Sequence, residues 1–136
     1  MGTKKRIRPW MIVLTVLVVT GGIVAWKMVG GLITYKDKVA RLEIGTIDLT
    51  KVPDGTWPGS CDLDLVNVKL EIVVKDHRIE EIHLLEHKNG KGVPAEDLLP
   101  KIVETQQVDL DVVSGATASS KAILRAVEDA AQKASA

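Results

Sequence analysis

The chain has 136 residues, with 18 basic and 18 acidic side chains and a net charge of zero. Four of the basic residues lie in the first nine positions, so the remainder has 14 basic against 18 acidic residues, a net charge of −4. A mildly acidic domain lacks the basic footprint of nucleic-acid-binding proteins, and no nucleic-acid partner is expected. The single cysteine, Cys61, excludes an internal disulfide.

The N-terminal segment predicts a membrane anchor. Residues 1–9 form a basic tail that includes Lys4, Lys5 and Arg6, and no charged residue occurs from Pro9 to Trp26. As a helix this apolar run would extend about 27 Å, close to the hydrocarbon thickness of a bilayer. Apolar character continues beyond it, so the transmembrane anchor is assigned to residues 10–35.

The charge asymmetry predicts the orientation of this anchor. Basic residues before the span favour a cytoplasmic N-terminus, which places the C-terminal domain on the extracellular or periplasmic side of the cell membrane. A cleaved signal peptide would share the basic start and the apolar run. Ile23 and Trp26 make a poor small-residue cleavage site around Ala25, and the run is longer than a usual signal. We therefore predict an uncleaved, single-pass anchor.

The rest of the chain suffices for one small domain. Residues 36–52 mix charged and apolar positions and predict a juxtamembrane linker or first helix, and residues 53–136 form the domain itself. The sequence Asp-Gly-Thr-Trp-Pro-Gly at 54–59 is typical of a turn cluster. Apolar residues then alternate from 63 to 74, with a change of phase before Val66 that predicts a bulge or a break.

A hairpin and two helices complete the predicted domain. The turn Lys75–Arg78 joins the first alternating run to a second strand at 79–86. Pro100 should begin a short helix that ends near Gln106. A final helix is predicted from Thr117 to Lys133. Its buried stripe is expected to contain Ile123, Leu124, Val127 and Ala130 or Ala131. The fold class is α+β, an antiparallel hairpin sheet with a C-terminal helix.

Neither a metal site nor a catalytic set emerges from the remaining polar residues. The three histidines, His77, His83 and His87, offer too few converging ligands for zinc. We expect them to be exposed to solvent, with His83 and His87 on the same face of their strand. Asp109 and Asp111 resemble an acid/base pair but flank a short apolar alternation at 108, 110 and 112, and are expected to face solvent. No catalytic residue and no metal ligand is therefore assigned.

The segment from Asp111 to Ser120 favours an anion site. It places Ser114, Gly115, Ala116 and Thr117 at a helix N-terminus, where unpaired backbone N–H groups and the helix dipole stabilise a phosphate. Small side chains leave the backbone open to a bulky ligand. The alternative is that Thr117 or Ser114 merely caps the helix.

The same residues carry a family resemblance. Asp111-Val-Val-Ser-Gly-Ala-Thr117 resembles the flavinylation motif, Asp-x-x-Ser/Thr-Gly-Ala-Thr/Ser, of the FMN-binding domain family. This domain occurs in subunits of sodium-pumping and Rnf-type redox complexes and in extracellular electron-transfer flavoproteins. The Asp-Gly-Thr-Trp-Pro-Gly segment and the hairpin are also similar to the family, over residues 53–132. The turn departs from it, with Asp76-His77-Arg78 where Asp-Gly-Lys is usual.

The resemblance implies that FMN is attached covalently, by a phosphodiester bond from its phosphate to the Thr117 hydroxyl. A separate flavin transferase would install it from FAD with a divalent metal. Asp111 would be needed by that enzyme, Ser114 would cap the helix or contact the phosphate, and Gly115 and Ala116 would give room. This set of five residues is the predicted FMN site.

The function that the resemblance implies is electron carriage on the outer face of the membrane, rather than an independent enzymatic activity. Its partners would be the flavin transferase, a membrane electron donor and an outer redox acceptor. The alternative is a non-redox anchored module that binds FMN or another phosphate ligand reversibly, or an accessory subunit of a membrane complex.

Overall fold

The computed structural model describes residues 2, 8–88 and 90–136, and these divide into two compact units after Asp37. The tail residues Lys4, Lys5 and Arg6, whose charge underlies the predicted orientation, lie outside the described residues. Each unit is described separately below.

Most of the described part of the first unit belongs to an apolar helix, whose last four residues are counted in the second unit. Helix α1 runs from Pro9 to Arg41, and none of its residues is buried. Its most apolar window has a mean hydropathy of 2.1, so the helix is long and apolar enough to cross a membrane. The hydroxyls of Thr15, Thr20 and Thr34 donate to main-chain carbonyls four residues earlier, which satisfies them without water. The anchor predicted at 10–35 lies within this helix.

The second unit is built on a three-stranded antiparallel sheet in the order β1-β2-β3. The strands are β1 Gly55–Asp62, β2 Asn67–Lys75 and β3 Arg78–Lys88. The predicted hairpin is β2–β3. Its two turn residues, Asp76 and His77, have φ of 50° and 60°, the left-handed pair that matches the twist of a two-residue hairpin. The carboxylate of Asp54 accepts a hydrogen bond from the Asp76 N–H at 2.9 Å and supports this conformation.

Strand β1 corrects the expected turn cluster at 54–59. Most of that segment belongs to β1, which pairs along its length with β2. Pro58 is tolerated because β1 is an edge strand, and Gly59 is buried beneath the C-terminal helix. The phase change before Val66 is confirmed as a break: the chain reverses there, with a hydrogen bond from Leu63 N–H to Val66 O at 2.8 Å.

Helices cover one face of the sheet. A 3₁₀ helix, Val93–Asp97, leads into α2, Leu98–Thr105, and the chain ends in α3, Thr117–Ala134. Helix α2 begins two residues before Pro100, and α3 closely matches its prediction. The predicted buried stripe of α3 is confirmed: Ile123, Leu124, Val127, Ala130 and Ala131 are all buried. They pack with Val68, Leu70, Ile72 and Val74, the alternating buried residues of β2.

The residues before β1 also join this unit. Val52 is fully buried. The ammonium group of Lys121, on α3, donates hydrogen bonds to the carbonyls of Val39 at 2.9 Å and Leu42 at 3.3 Å. Lys38 forms an ion pair with Asp64 at 2.6 Å. The compact unit therefore begins at Lys38, within the segment expected to be a juxtamembrane linker.

Candidate functional site

The segment between α2 and α3 is irregular rather than a strand. The apolar alternation at 108, 110 and 112 is typical of a strand, but only Val108 is buried and residues 109–113 form no sheet pairing. Its start is fixed by Gln106, which ends α2 in a left-handed conformation. The Gln106 side-chain amide pairs with the main chain of Ile79, accepting from its N–H at 2.7 Å and donating to its carbonyl at 2.9 Å.

A tight turn presents the predicted motif. Ser114 and Gly115 form the turn, and the Ala116 N–H donates to Val113 O at 3.0 Å. Gly115 has φ +79°, and a Cβ added there would meet nothing within 4 Å. Glycine is therefore required for the backbone conformation, and the space beside it is open. From the other side, the buried Ser120 hydroxyl accepts a hydrogen bond from the Val113 N–H at 2.9 Å, which holds the turn against α3.

Thr117 is the first residue of α3, and it is exposed. The N-cap position belongs to Ala116, which makes no side-chain capping bond, and the first turn contains no acidic residue. The alternative that Thr117 or Ser114 caps the helix is therefore not what the structure shows. The N-cap of α3 therefore leaves its first N–H groups without a capping side chain, which is the arrangement that favours a phosphate.

The five predicted site residues do not all present their side chains. Asp111, Ser114, Gly115 and Thr117 are exposed around the turn, whereas Ala116 is buried, with 5% of its surface accessible. The small size of Ala116 therefore serves packing under the turn, and the room for a ligand comes from Gly115. These residues fit a flavin phosphate, because Thr117 supplies a free hydroxyl and the uncapped helix start supplies donors.

A buried histidine lies beneath this turn, and it corrects the prediction that the three histidines are solvated. The His87 side chain is 3% exposed. Its Nδ1 lies 2.7 Å from Glu96 Oε1, in the 3₁₀ helix, and its Nε2 lies 3.0 Å from Ser119 Oγ, in the first turn of α3. His77 and His83 are exposed as expected.

The register of β3 explains why His87 is buried. Leu84 pairs with Leu70 and His87 with Val68, so both lie on the buried face, while Leu85 is the extra residue of a bulge. Strict alternation would have placed His87 on the opposite face from Leu84. His83 pairs with Glu71 on the solvent face, so the expectation that His83 and His87 share a face was wrong.

The chain is similar to known proteins over much of its second unit. Residues 66–132, from just before β2 to near the end of α3, match the family model of the FMN-binding domain. The chain is also 28% identical over 102 residues to an uncharacterised protein of Treponema pallidum (strain Nichols). That alignment covers 73% of this chain and 28% of the relative, so the chain spans less than a third of the length of that protein.

Proposed function

Residues 66–132 form an FMN-binding domain, and on that premise we propose that the chain is a membrane-anchored flavoprotein that relays electrons on the outer face of the membrane. Its FMN would be attached through the phosphate to Thr117 Oγ. The observation that carries the proposal is the exposed Thr117 hydroxyl at an uncapped helix start, directly after an open glycine turn. Nothing in the first turn of α3 competes with a phosphate for the N–H donors.

Each part of the site has a physical task in this proposal. The Thr117 hydroxyl is the nucleophile, and it attacks FAD that is bound to a separate flavin transferase. A bond forms between Thr117 Oγ and the FMN-side phosphorus, and the bond from that phosphorus to the bridging oxygen breaks, so AMP leaves. The hydroxyl proton passes to a base of the transferase. Afterwards the helix N–H groups and dipole stabilise the remaining negative charge of the phosphodiester.

The covalent bond retains the flavin on a domain that the anchor holds outside the cytoplasm. FMN supplies one- or two-electron transfer when bound, and the protein supplies its location and electrostatic surroundings. A flavin held outside the cytoplasm is lost if it dissociates, whereas a phosphodiester keeps it on the protein. Helix α1 and the basic residues before it favour a cytoplasmic N-terminus and an outer C-terminal domain. An electron donor in the membrane and an outer acceptor complete the proposed relay.

Denaturing gel electrophoresis tests the attachment. The full chain is coexpressed with a flavin transferase, and its band is examined for flavin fluorescence. We expect a fluorescent band for the wild type and for Thr117→Ser, which keeps a hydroxyl, and none for Thr117→Ala. Ser60→Ala is the control, because it removes an exposed hydroxyl on β1, outside the predicted FMN site, and it should keep the band.

The result also separates the reversible-binding alternative. A yellow native protein that loses its colour on denaturation and dialysis would support a module that holds FMN without a covalent bond. Fluorescence that persists in Thr117→Ala would show that another residue carries the flavin. Either result would overturn attachment at Thr117.

A further inference from the structure

Three buried or half-buried side chains from three separate elements form a hydrogen-bonded triad next to the flavinylation motif. Glu96 comes from the 3₁₀ helix, His87 from β3 and Ser119 from α3. The Glu96–His87 contact is 2.7 Å and the His87–Ser119 contact is 3.0 Å. Ser119 is 2% exposed and the His87 side chain 3%. None of the five residues of the predicted FMN site belongs to this triad.

The chemistry of Glu96 fixes the direction of its hydrogen bond with His87. The Glu96 carboxylate can only accept, so the proton between it and His87 belongs to Nδ1. A neutral imidazole then accepts at Nε2 from the Ser119 hydroxyl, and a protonated one donates from Nε2 to Ser119 Oγ. Either bond joins β3 to the first turn of α3. The same residue types form the catalytic chain of serine hydrolases. Here the Ser119 hydroxyl and the His87 imidazole are both buried, so a substrate cannot reach them.

Helical geometry connects Ser119 to Thr117. Successive residues of an α-helix are rotated by about 100° around the helix axis. The side chains of residues two positions apart, such as Thr117 and Ser119, therefore differ in direction by about 200°. The burial agrees: Ser119 points into the domain and Thr117 points out of it. A bond that holds Ser119 inward therefore sets the rotation of the first turn of α3, and with it the direction of the Thr117 hydroxyl and of the free N–H groups.

We propose that His87, oriented by Glu96, is a positioning residue for flavin attachment, because it holds Ser119 and so presents Thr117 to the flavin transferase. This inference rests on the proposed covalent attachment at Thr117. His87 does not touch the phosphate in this scheme. It acts through the first turn of α3, and its loss leaves that turn able to rotate and fray, so that the hydroxyl spends less time in the reactive geometry.

The test measures the rate of flavin attachment on the full chain, purified without flavin and mixed with FAD, a divalent metal and a flavin transferase. We expect Ser119→Ala and Glu96→Ala to lower the kcat of attachment about 10-fold or more with little change in KM, since misplacement by about 1 Å can slow a reaction by two orders of magnitude. Glu96→Gln keeps an acceptor for Nδ1–H and should restore most of the rate. Glu96 is the safer variant for folding, because its side chain is 38% exposed.

A stability-matched control separates positioning from general weakening of the fold. Val127→Ala shortens a buried side chain of the same helix, away from the first turn. It should lower the unfolding midpoint at least as much as Glu96→Ala and leave the attachment rate near that of the wild type. Hydrogen exchange of the flavin-free protein gives a second readout at the two hydrogen-bonded amides of this region, Ala116 and Ser120. Both should exchange faster in Ser119→Ala and Glu96→Ala, but not in Val127→Ala.

Two outcomes would overturn the positioning role. In one, Ser119→Ala and Glu96→Ala attach flavin at the wild-type rate. In the other, they are slowed no more than Val127→Ala, and the Ala116 and Ser120 amides exchange at the wild-type rate. A wild-type protein that takes up no flavin under these conditions would instead overturn the proposed function. The two failures are therefore distinguishable.

Discussion

Gly59 and Gly115 lie in two regions of the domain that need glycine for opposite reasons. A Cβ at Gly59 would lie 2.0 Å from the carbonyl oxygen of Ala126 and 2.7 Å from the Ala130 Cβ, so β1 and α3 pack too closely for any side chain. At Gly115 a Cβ would meet nothing, but φ is +79°. The contact between β1 and α3 thus stabilises the fold, while the motif turn is specified by backbone conformation and left open for chemistry.

Filling the β1–α3 contact should have the largest effect on stability. Gly59→Ala forces the strand away from the helix or distorts both, and we expect it to lower the free energy of unfolding by about 3 kcal/mol, at the upper end of overpacking effects. Chemical denaturation followed by circular dichroism measures this. Ser60→Ala is the matched control, because Ser60 is exposed on the same strand and uses its main-chain N–H to bond Asp129. Equal stability of Gly59→Ala and the wild type would contradict the close approach of β1 and α3.

A substitution in the motif turn should have a smaller effect on stability and a larger one on function. Gly115→Ala has room for its methyl group but must adopt a left-handed conformation, which costs about 1 kcal/mol. We expect that loss in denaturation, together with slower flavin attachment, because the turn precedes Thr117 directly. Gly115→Asn is the informative partner, since asparagine tolerates this conformation better than alanine. Identical behaviour of the two variants would show that the backbone conformation is not what the turn requires.

The titration of Cys61 reports on the β1–α3 contact, and its effect on stability should be the smallest of the three. Burial raises the pKa of its thiol from the usual 9.0 to about 11, although Arg125 nearby opposes the shift. Between these values the unfolded chain releases the proton while the folded domain retains it. The free energy of unfolding should therefore fall as the pH rises from about 9 to about 11.

This decrease is measured against Cys61→Ala, which removes the thiol. Lys38 and Lys69 also have raised pKa values, because each is bonded to a carboxylate, and their titration contributes equally in both proteins. The difference between the two pH profiles isolates the thiol. A difference that stays flat up to pH 11 would mean that the contact is open enough to hydrate Cys61.

Much of the fold could be predicted because its signals are local. The β2–β3 hairpin follows from alternation, and α3 follows from the 3.6-residue spacing of its apolar stripe. The motif turn was recognisable because glycine and small residues precede a helix. Strand β1 was missed for a related reason: Pro58 and Gly59 indicate a turn when read locally. Only the packing of α3 on β1 shows that Gly59 is needed for the close approach of these two elements.

The side chains beneath the site were beyond such local signals. His87 is inward only because a bulge at Leu85 shifts the alternation of β3. Its partners, Glu96 and Ser119, come from elements that the fold alone brings together. Gln106 is similar, because its pairing with Ile79 spans 27 residues. The residues that are exposed in the site were therefore predictable from sequence, whereas those that hold it in place were not.

The hydrogen bonds from Lys121 to Val39 and Leu42 decide where the domain can be cut. A soluble version that began at residue 53 would leave this ammonium group, on α3 and four residues after Thr117, without its acceptors, and would remove the buried Val52 from the core. A version that begins at Lys38, where the compact unit starts, keeps all of these contacts. The residues that follow the apolar segment are thus part of the domain, and truncation should be planned there.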